Sequence, residues 1–190
     1  MLGLRGVKLH FGCGDRILSG WMNLDVWTKP SISHVVDLRG PLPLADEVCR
    51  LIFSEQTLEH FEMMEIERIL QEFYRVLRPG GLLRIVVPDA EQYVQAYARR
   101  DLAWFQAVEG EWLTGLQSGP PTRAKGLSHL FLDHYHRVAL DFETLGILLR
   151  RTGFSHVIRS AHMASDEPEL RVDTDQEARA LCSLYLEARR

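Results

Sequence analysis

Leu9-His10-Phe11-Gly12-Cys13-Gly14-Asp15 joins an apolar run to two glycines that are one residue apart. The apolar run predicts a buried strand over Val7–Phe11, and the glycines predict a tight turn after it. The next apolar segment, Trp21–Asp25, ends on an acid. Glycine lets a backbone approach a ligand closely, and a carboxylate accepts hydrogen bonds from ribose hydroxyls. The pattern therefore predicts a site for a ligand that contains adenosine.

The glycine turn differs from the two common phosphate-binding turns. The dinucleotide fingerprint needs a third glycine, and Ile17 stands at that position. A phosphate-binding loop ends in Gly-Lys-Ser or Gly-Lys-Thr, which this turn lacks. Both observations argue against a nucleotide-dependent oxidoreductase and favour an adenosine ligand without a pyrophosphate.

The connection between the first two strands is unusually short. It spans nine residues, Gly12–Gly20, whereas a parallel crossover that includes a helix takes roughly a dozen or more. We expect at most one helical turn there, around Arg16–Ser19. One face of the sheet near the glycine turn then needs cover from another part of the chain.

Hydrophobic periodicity predicts most of the remaining elements. An apolar stripe with spacings of three and four residues predicts a helix over Glu62–Leu77, which Pro79-Gly80-Gly81 ends. A second helix is expected over Asp141–Thr152, with Asp141 as its N-cap and Gly153 just past its end. The expected strands are Val35–Asp37, Val48–Ser54, Leu82–Val87, Phe154–Ala161 and Cys182–Ala188, and Ser165–Gln176 is expected to be a loop.

Residues 89–126 form a predicted insertion after the fifth strand. Helical patterns over Ala90–Arg100 and Asp101–Leu116 precede a loop, Gln117–Gly126, which contains Gly119-Pro120-Pro121. We expect residues from about 90 to 126 to form a helical lid over an acceptor site. Aromatic residues such as Tyr93 are explained either by packing between these helices or by a place in the pocket wall.

Five motifs occur in order along the chain: Leu9–Gly14, Asn23-Leu24-Asp25, Val36-Asp37-Leu38, Ser54–Phe61 with its Leu-Glu-His, and Val76–Ile85 with its Leu-Arg-Pro-Gly-Gly. With them the chain resembles the class I S-adenosylmethionine-dependent methyltransferases, and especially small predicted members whose fourth motif reads Leu-Glu-His. The resemblance runs from about Val7 to the C-terminus. It implies an α/β, Rossmann-like, doubly wound sheet of seven mostly parallel strands with an antiparallel last strand. The shortened first crossover and the helical insertion after strand 5 are features of this chain.

The resemblance also implies S-adenosylmethionine as the cofactor. Asp25 would bind the ribose hydroxyls, and Asp37 would accept a hydrogen bond from the adenine amino group beside Leu38. The full set of implied cofactor residues is Phe11, Gly12, Cys13, Gly14, Asp25, Asp37, Leu38, Ser54 and Glu55. Gln56 stands where the family commonly has histidine, so the resemblance supports no acid–base role at that position.

Three histidines are candidates for a catalytic base. His134 is the first, because Asp133 and Tyr135 flank it, and His129 and His60 follow. The alternative is that these imidazoles only order the loops by hydrogen bonding. The spacing of His129, His134 and His136 matches no fixed metal motif, and the family usually has no metal, so we expect none.

Composition limits the function classes. A length of 190 residues and 46% apolar residues suit a single domain over residues 1–190. A net charge of −4 provides no general electrostatic attraction to a nucleic acid, so we expect a small-molecule acceptor. No apolar stretch reaches about 18 residues, so no membrane span is expected. Three cysteines without a zinc or disulfide pattern fit a reducing, cytoplasmic location.

One alternative from another functional class stays open. The short first crossover and Gln56 are compatible with a catalytically silent, methyltransferase-like protein that serves as a binding or interaction module. Binding of S-adenosylhomocysteine separates a functional cofactor pocket from an empty fold.

Overall fold

The computed structural model describes residues 6–27, 34–115, 120–132 and 135–190. Its strands are β1 (Val7–Phe11), β2 (Met22–Asp25), β3 (His34–Val35), β4 (Cys49–Glu55), β5 (Leu77–Pro88), β6 (Ser155–Arg159) and β7 (Ser183–Arg189). They form one seven-stranded sheet in the order β3-β2-β1-β4-β5-β7-β6. Strand β7 pairs antiparallel with β5 and β6, and the pairs among β1 to β5 are parallel. The predicted Rossmann-like α/β sheet with an antiparallel last strand is confirmed.

Six α-helices accompany the sheet in the described part of the chain: α1 (Met63–Val76), α2 (Ala90–Ala98), α3 (Leu102–Gly115), α4 (Arg123–Leu132), α5 (Phe142–Thr152) and α6 (Glu177–Cys182). Helices α1 and α5 bury their apolar sides in the main core. Asp141 caps α5 by accepting a hydrogen bond from the Thr144 amide at 2.8 Å, and Gly153 ends it in the left-handed conformation. Both predicted caps of α5 are confirmed.

The first crossover has no helix. Residues 12–21 are all described and contain only turns at Gly14-Asp15 and Ser19-Gly20. The buried side chain of Asn23 holds this loop, since its Oδ1 accepts from the Leu18 amide at 3.0 Å. Its Nδ2 donates to the carbonyls of Leu18 and Trp21 at 3.1 and 3.0 Å. Hydrogen bonds from one side chain of β2 thus fix a connection that is too short for helical structure.

The C-terminal segment covers the sheet face that the short crossover leaves open. Residues 160–174 run across this face and include one 3-10 turn, Pro168–Leu170. Leu170 is fully buried in a cluster with Trp21, Phe53, Val86 and Tyr185. The expected loop, Ser165–Gln176, therefore completes the second layer of the fold.

Arg84 binds the covering segment to the sheet. Its fully buried guanidinium donates to both carboxylate oxygens of Asp173, at 2.8 and 2.6 Å. It also donates to Glu187 on β7 at 2.7 Å and to the Ala161 carbonyl at 2.8 Å. A buried charge is tolerated only when it is fully paired, so the position of Asp173 is strongly determined.

The insertion differs from its predicted boundaries. Helix α4 begins at Arg123, so the last part of the predicted loop Gln117–Gly126 is helical, and residues 116–119 lie outside the described part. Gly126 explains the difference, because a Cβ there would lie 2.2 Å from the Phe105 ring. Close packing of α4 on α3 is a tertiary contact that local turn signals do not show. Helix α6 was not predicted either.

Helices α2, α3 and α4 share a small core of their own. Tyr93, Ala96, Phe105 and Leu130 are its buried members. This contact confirms helix packing as one role of the insertion's aromatic residues. None of the helices in the described ranges combines the length and the hydropathy that a membrane span requires.

The Arg84 pairing predicts a large stability effect. We expect Asp173→Ala to lower the free energy of unfolding by about 3–5 kcal/mol, because it leaves a buried guanidinium partly unpaired. Urea denaturation followed by circular dichroism measures the change. The control is Asp46→Ala, which removes a 73% exposed side chain from its 2.8 Å ion pair with Arg75 and is expected to cost about 1 kcal/mol or less. Equal losses in the two variants would contradict this account of the covering segment.

Candidate active site

A cleft of about 690 Å³ opens at the carboxyl ends of β1, β2 and β4. Five of the residues predicted to bind the cofactor line it, namely Gly12, Gly14, Asp25, Asp37 and Leu38. Ligands of open α/β sheets bind at this edge, in the crevice outside the carboxyl ends of the parallel strands where the strand order reverses. We call this space the cofactor cleft.

The glycine turn is fixed by β2 and by Thr57. Gly12 has a φ of +70°, and a Cβ there would lie 2.2 Å from the Thr57 side chain, so only glycine fits. The Gly14 amide donates to Asp25 Oδ2 at 2.7 Å. The Trp27 amide donates to the other oxygen, Oδ1, at 3.2 Å. Asp25 therefore shapes the turn and also presents its carboxylate to the cofactor cleft.

Arg39 is a cleft residue that the sequence did not indicate. Its guanidinium donates to both oxygens of Asp37, at 2.9 and 3.1 Å. The pair is exposed, and these hydrogen bonds hold the pKa of the Asp37 carboxyl below its usual value. Asp37 thus remains a charged acceptor at the mouth of the cleft, with lone pairs left for a ligand amino group.

Four other predicted cofactor residues have side chains that do not line the cofactor cleft in the described structure. Phe11 is fully buried against Phe73 in the main core. Cys13 is buried beside a small neighbouring pocket, and Ser54 is buried in β4. Glu55 binds Arg16 at 2.7 Å and accepts from the Thr174 hydroxyl at 2.6 Å.

Strand geometry explains the position of Glu55. Successive side chains of β4 point to opposite faces of the sheet. The Glu55 side chain falls on the face that residues 160–174 cover, and the hydrogen bond with Thr174 uses its carboxylate there. The resemblance placed Glu55 at the end of this strand and made no statement about the direction of its side chain.

A second cavity of about 290 Å³ lies beside the cofactor cleft. Gln56 and His60 line both spaces. Tyr93 and Val108 from the insertion and Arg179 from α6 form other parts of its wall. We call this space the inner cavity. The insertion therefore borders the space next to the cofactor cleft.

Glu59 is the most unusual polar residue of the inner cavity. It is 2% exposed, and neither carboxylate oxygen has a hydrogen-bond partner of normal geometry among the described residues. Burial raises the pKa of this carboxyl to about 8, and the nearby backbone amides of Glu59 and Thr57 and the charge of Arg179 oppose the shift only in part. Its place in the Leu-Glu-His motif was the only sequence signal for a special role.

His60 and His136 meet next to Glu59. Their ring centroids are 5.1 Å apart. One potential ligand atom from each of the three residues lies within 4.8 Å of the others. The backbone brings His136 there, because the Arg137 amide donates to the Glu59 carbonyl at 2.8 Å. In the sequence, His136 is notable only for its closeness to His129 and His134, and nothing there indicates its contact with Glu59 and His60.

Two of the three predicted bases have no described side chain. His134 and its neighbour Asp133 lie outside the described residues. His129 lies on α4, but its side chain is outside the description. His60 is therefore the predicted base whose side chain the structure places, at the boundary between the cofactor cleft and the inner cavity.

Comparison with known proteins agrees with this architecture. A family model described as a methyltransferase domain matches residues 9–85, which carry the five motifs. No curated protein matches the chain in sequence.

Solved structures are similar to the whole chain. An S-adenosylmethionine-dependent methyltransferase from Archaeoglobus fulgidus has 15% identity and a TM-score of 0.59, covering 99% of this chain and 87% of its own. One from Mesorhizobium loti has 19% identity and a TM-score of 0.55, covering 100% and 94%. One from Methanosarcina mazei has 16% identity and a TM-score of 0.58, covering 100% and 94%. At these identities the similarity shows a shared fold.

The Asp25 carboxylate gives a test of the cofactor cleft. We expect Asp25→Ala to weaken S-adenosylhomocysteine binding by roughly 1.5–3 kcal/mol, the range for a hydrogen bond to a charged group. Isothermal titration calorimetry measures the affinity. Asp15→Ala serves as the control, because it removes an exposed carboxylate of the same loop that does not line the cleft. Unchanged affinity in Asp25→Ala would remove Asp25 from the cofactor site.

Proposed function

We propose that this chain is a class I S-adenosylmethionine-dependent methyltransferase and that it methylates a small molecule that binds in the inner cavity. The observation that carries the proposal is the wall shared by the two spaces. Gln56 and His60 line both the cofactor cleft and the inner cavity. A methyl donor in one space and an acceptor in the other would meet at this wall.

The cofactor cleft fits an adenosine ligand by the chemistry of its donors and acceptors. The Gly12 turn leaves no room for a side chain, so the backbone can approach a ligand. Asp25 offers carboxylate oxygens for ribose hydroxyls, and Asp37 offers them for an amino group, with Leu38 beside it. S-adenosylmethionine supplies an already activated methyl group, so this chain needs to position an acceptor more than to activate it.

Methyl transfer would proceed as an in-line displacement. A lone pair of the acceptor forms the new bond to the methyl carbon as the bond from sulfur to that carbon breaks, and S-adenosylhomocysteine leaves. The contribution of the protein is to hold the acceptor atom in line and at near-attack distance. We assign this task to the inner cavity, which residues of α2, α3, α4 and α6 line beside the end of β4.

The size and lining of the inner cavity favour a small acceptor. A volume of about 290 Å³ is at the lower end of the range for small-molecule pockets. Tyr93, Val108 and Leu130 offer apolar contacts, while Glu59 and Arg179 offer polar ones. Polar and apolar residues contribute equally to the lining, which suits a small acceptor that carries polar groups.

An acceptor hydroxyl must lose its proton as the methyl group arrives. We place this step at the cluster of Glu59, His60 and His136, which faces the inner cavity. His134 and His129 stay proposals from the sequence.

A variant that fills the inner cavity tests this proposal. Ala178 on α6 lines the cavity, so Ala178→Phe should place a ring in the acceptor space. We expect a loss of methyl transfer with unchanged S-adenosylhomocysteine affinity. The control is Leu181→Phe, a substitution on the same helix at an exposed side chain that does not line the cavity. The assay is release of S-adenosylhomocysteine with a panel of small hydroxyl, amine and thiol acceptors.

The same assay separates the two functional classes. Full turnover by Ala178→Phe with an acceptor that the parent methylates would overturn the assignment of the inner cavity. Tight S-adenosylhomocysteine binding without turnover on any member of the panel would favour the catalytically silent binding module.

A further inference from the structure

We propose that Glu59, His60 and His136 bind a divalent transition-metal ion, of which Zn²⁺ is the reference case, in the wall of the inner cavity. The role of the ion, which rests on the proposed function, is to hold an oxygen of the acceptor beside the cofactor cleft. The spacing of histidines in the sequence predicted no metal. The fold brings the proposed ligands together from separate parts of the chain. The cluster keeps His136 from the histidines considered in the sequence, but its other two members are Glu59 and His60 instead of His129 and His134.

The first observation is the buried carboxylate of Glu59. Both of its oxygens lack a hydrogen-bond partner among the described residues. A buried acid without partners is costly even when it is protonated, and its charged form is retained only when it is paired or coordinates a metal. Arg179 also lines the inner cavity, but its Nε donates to Gln176 at 3.2 Å, and it makes no hydrogen bond to Glu59. A bound cation would satisfy both oxygens.

The second observation is the orientation of His136. Its Nδ1 lies 2.9 Å from the Leu130 carbonyl oxygen. A carbonyl only accepts hydrogen bonds, so Nδ1 carries the proton, and Nε2 of the neutral ring keeps a lone pair for an ion. Histidines that bind metals commonly donate their other ring N–H to a carbonyl or carboxylate in this way.

The third observation is the spacing of the three groups. One donor atom of each residue lies within 4.8 Å of the others. In a loaded tetrahedral site, bonds of roughly 2.0–2.2 Å hold donors about 3.5 Å apart, so small side-chain rotations would complete the site. The hydrogen bond from the Arg137 amide to the Glu59 carbonyl fixes the two backbone segments in this register.

The ligand set indicates the class of metal. Two imidazoles and one carboxylate suit Zn²⁺, Co²⁺, Ni²⁺ or Fe²⁺, whereas Mg²⁺ and Ca²⁺ prefer oxygen ligands alone. Three protein ligands also leave a coordination position for another group, as in catalytic zinc sites. All three residues line the inner cavity, so that position would be accessible to an acceptor.

The ion would assist a hydroxyl acceptor in two ways. It orients the oxygen toward the shared wall, and it lowers the pKa of the bound hydroxyl. The O–H bond breaks with release of the proton to solvent, the bond from oxygen to the methyl carbon forms, and the bond from sulfur to that carbon breaks. His60 would then act as a metal ligand rather than as a base.

Metal binding by the full chain tests the site without an acceptor. Protein freed of metal by dialysis against a chelator is titrated with Zn²⁺ in a calorimeter, and Co²⁺ binding is followed by visible absorption. We expect one ion per chain. Glu59→Gln and His136→Ala should each weaken binding by at least about 10-fold, while the exposed His156→Ala serves as the control and should bind as the parent does.

Circular dichroism and S-adenosylhomocysteine affinity establish that each variant is folded. Absence of binding by the parent, or equal affinities in parent, Glu59→Gln and His136→Ala, would overturn the metal site. Methyl transfer at full rate by metal-free protein would overturn the role of the ion in the reaction and leave the proposed function standing. One bound ion without methyl transfer on any acceptor would leave the site standing and count against the proposed function.

Discussion

The ten-residue connection between β1 and β2, residues 12–21, is the constraint on which the rest of the structure depends. It cannot hold a helix, so one face of the sheet needs another cover, and residues 160–174 supply it. An irregular segment buries less apolar surface than a helix would. Polar contacts also hold it, and the pair of Arg84 and Asp173 is fully buried, so loss of either partner would leave an uncompensated charge.

The same cover changes the chemistry at the end of β4. Glu55 faces the covering segment, and Thr174 and Arg16 bind its carboxylate, which removes it from the cofactor cleft. The chain then turns at Gln56, whose φ of +50° is unusual for a residue with a side chain. This turn directs the next residues toward the inner cavity. The acid of this motif that faces the inner cavity is consequently Glu59 rather than Glu55.

Local signals in the sequence were sufficient for most of the fold. The apolar stripe of α1, the cap at Asp141 and the glycine at Gly153 depend on neighbouring residues, and all three are present. Elements whose position depends on residues distant in the sequence were not predicted correctly. Gly126 lies within α4 because it fits closely against Phe105, whereas its local sequence is typical of a loop.

The site residues also fall into a group that the local sequence predicts and a group that only the fold brings together. Gly12, Gly14 and Asp25 lie within one strand–turn–strand unit, so their motif was enough to bring them together. The cluster with Glu59 and His60 needs His136 from a remote segment, and the backbone hydrogen bond from Arg137 to Glu59 supplies that contact. A single sequence carries no record of such a pairing.

The energetics of Glu59 bear on the choice between an enzyme and a silent module. A buried carboxylate without hydrogen-bond partners destabilises the fold, and a cavity wall of apolar residues would avoid that loss. Proteins tolerate such local costs mainly at functional sites. Cofactor binding in the neighbouring cleft does not need Glu59, because the cleft is lined by other groups. The unpartnered acid is therefore consistent with the acceptor site proposed for the inner cavity, and a module that only binds the cofactor would gain nothing from it.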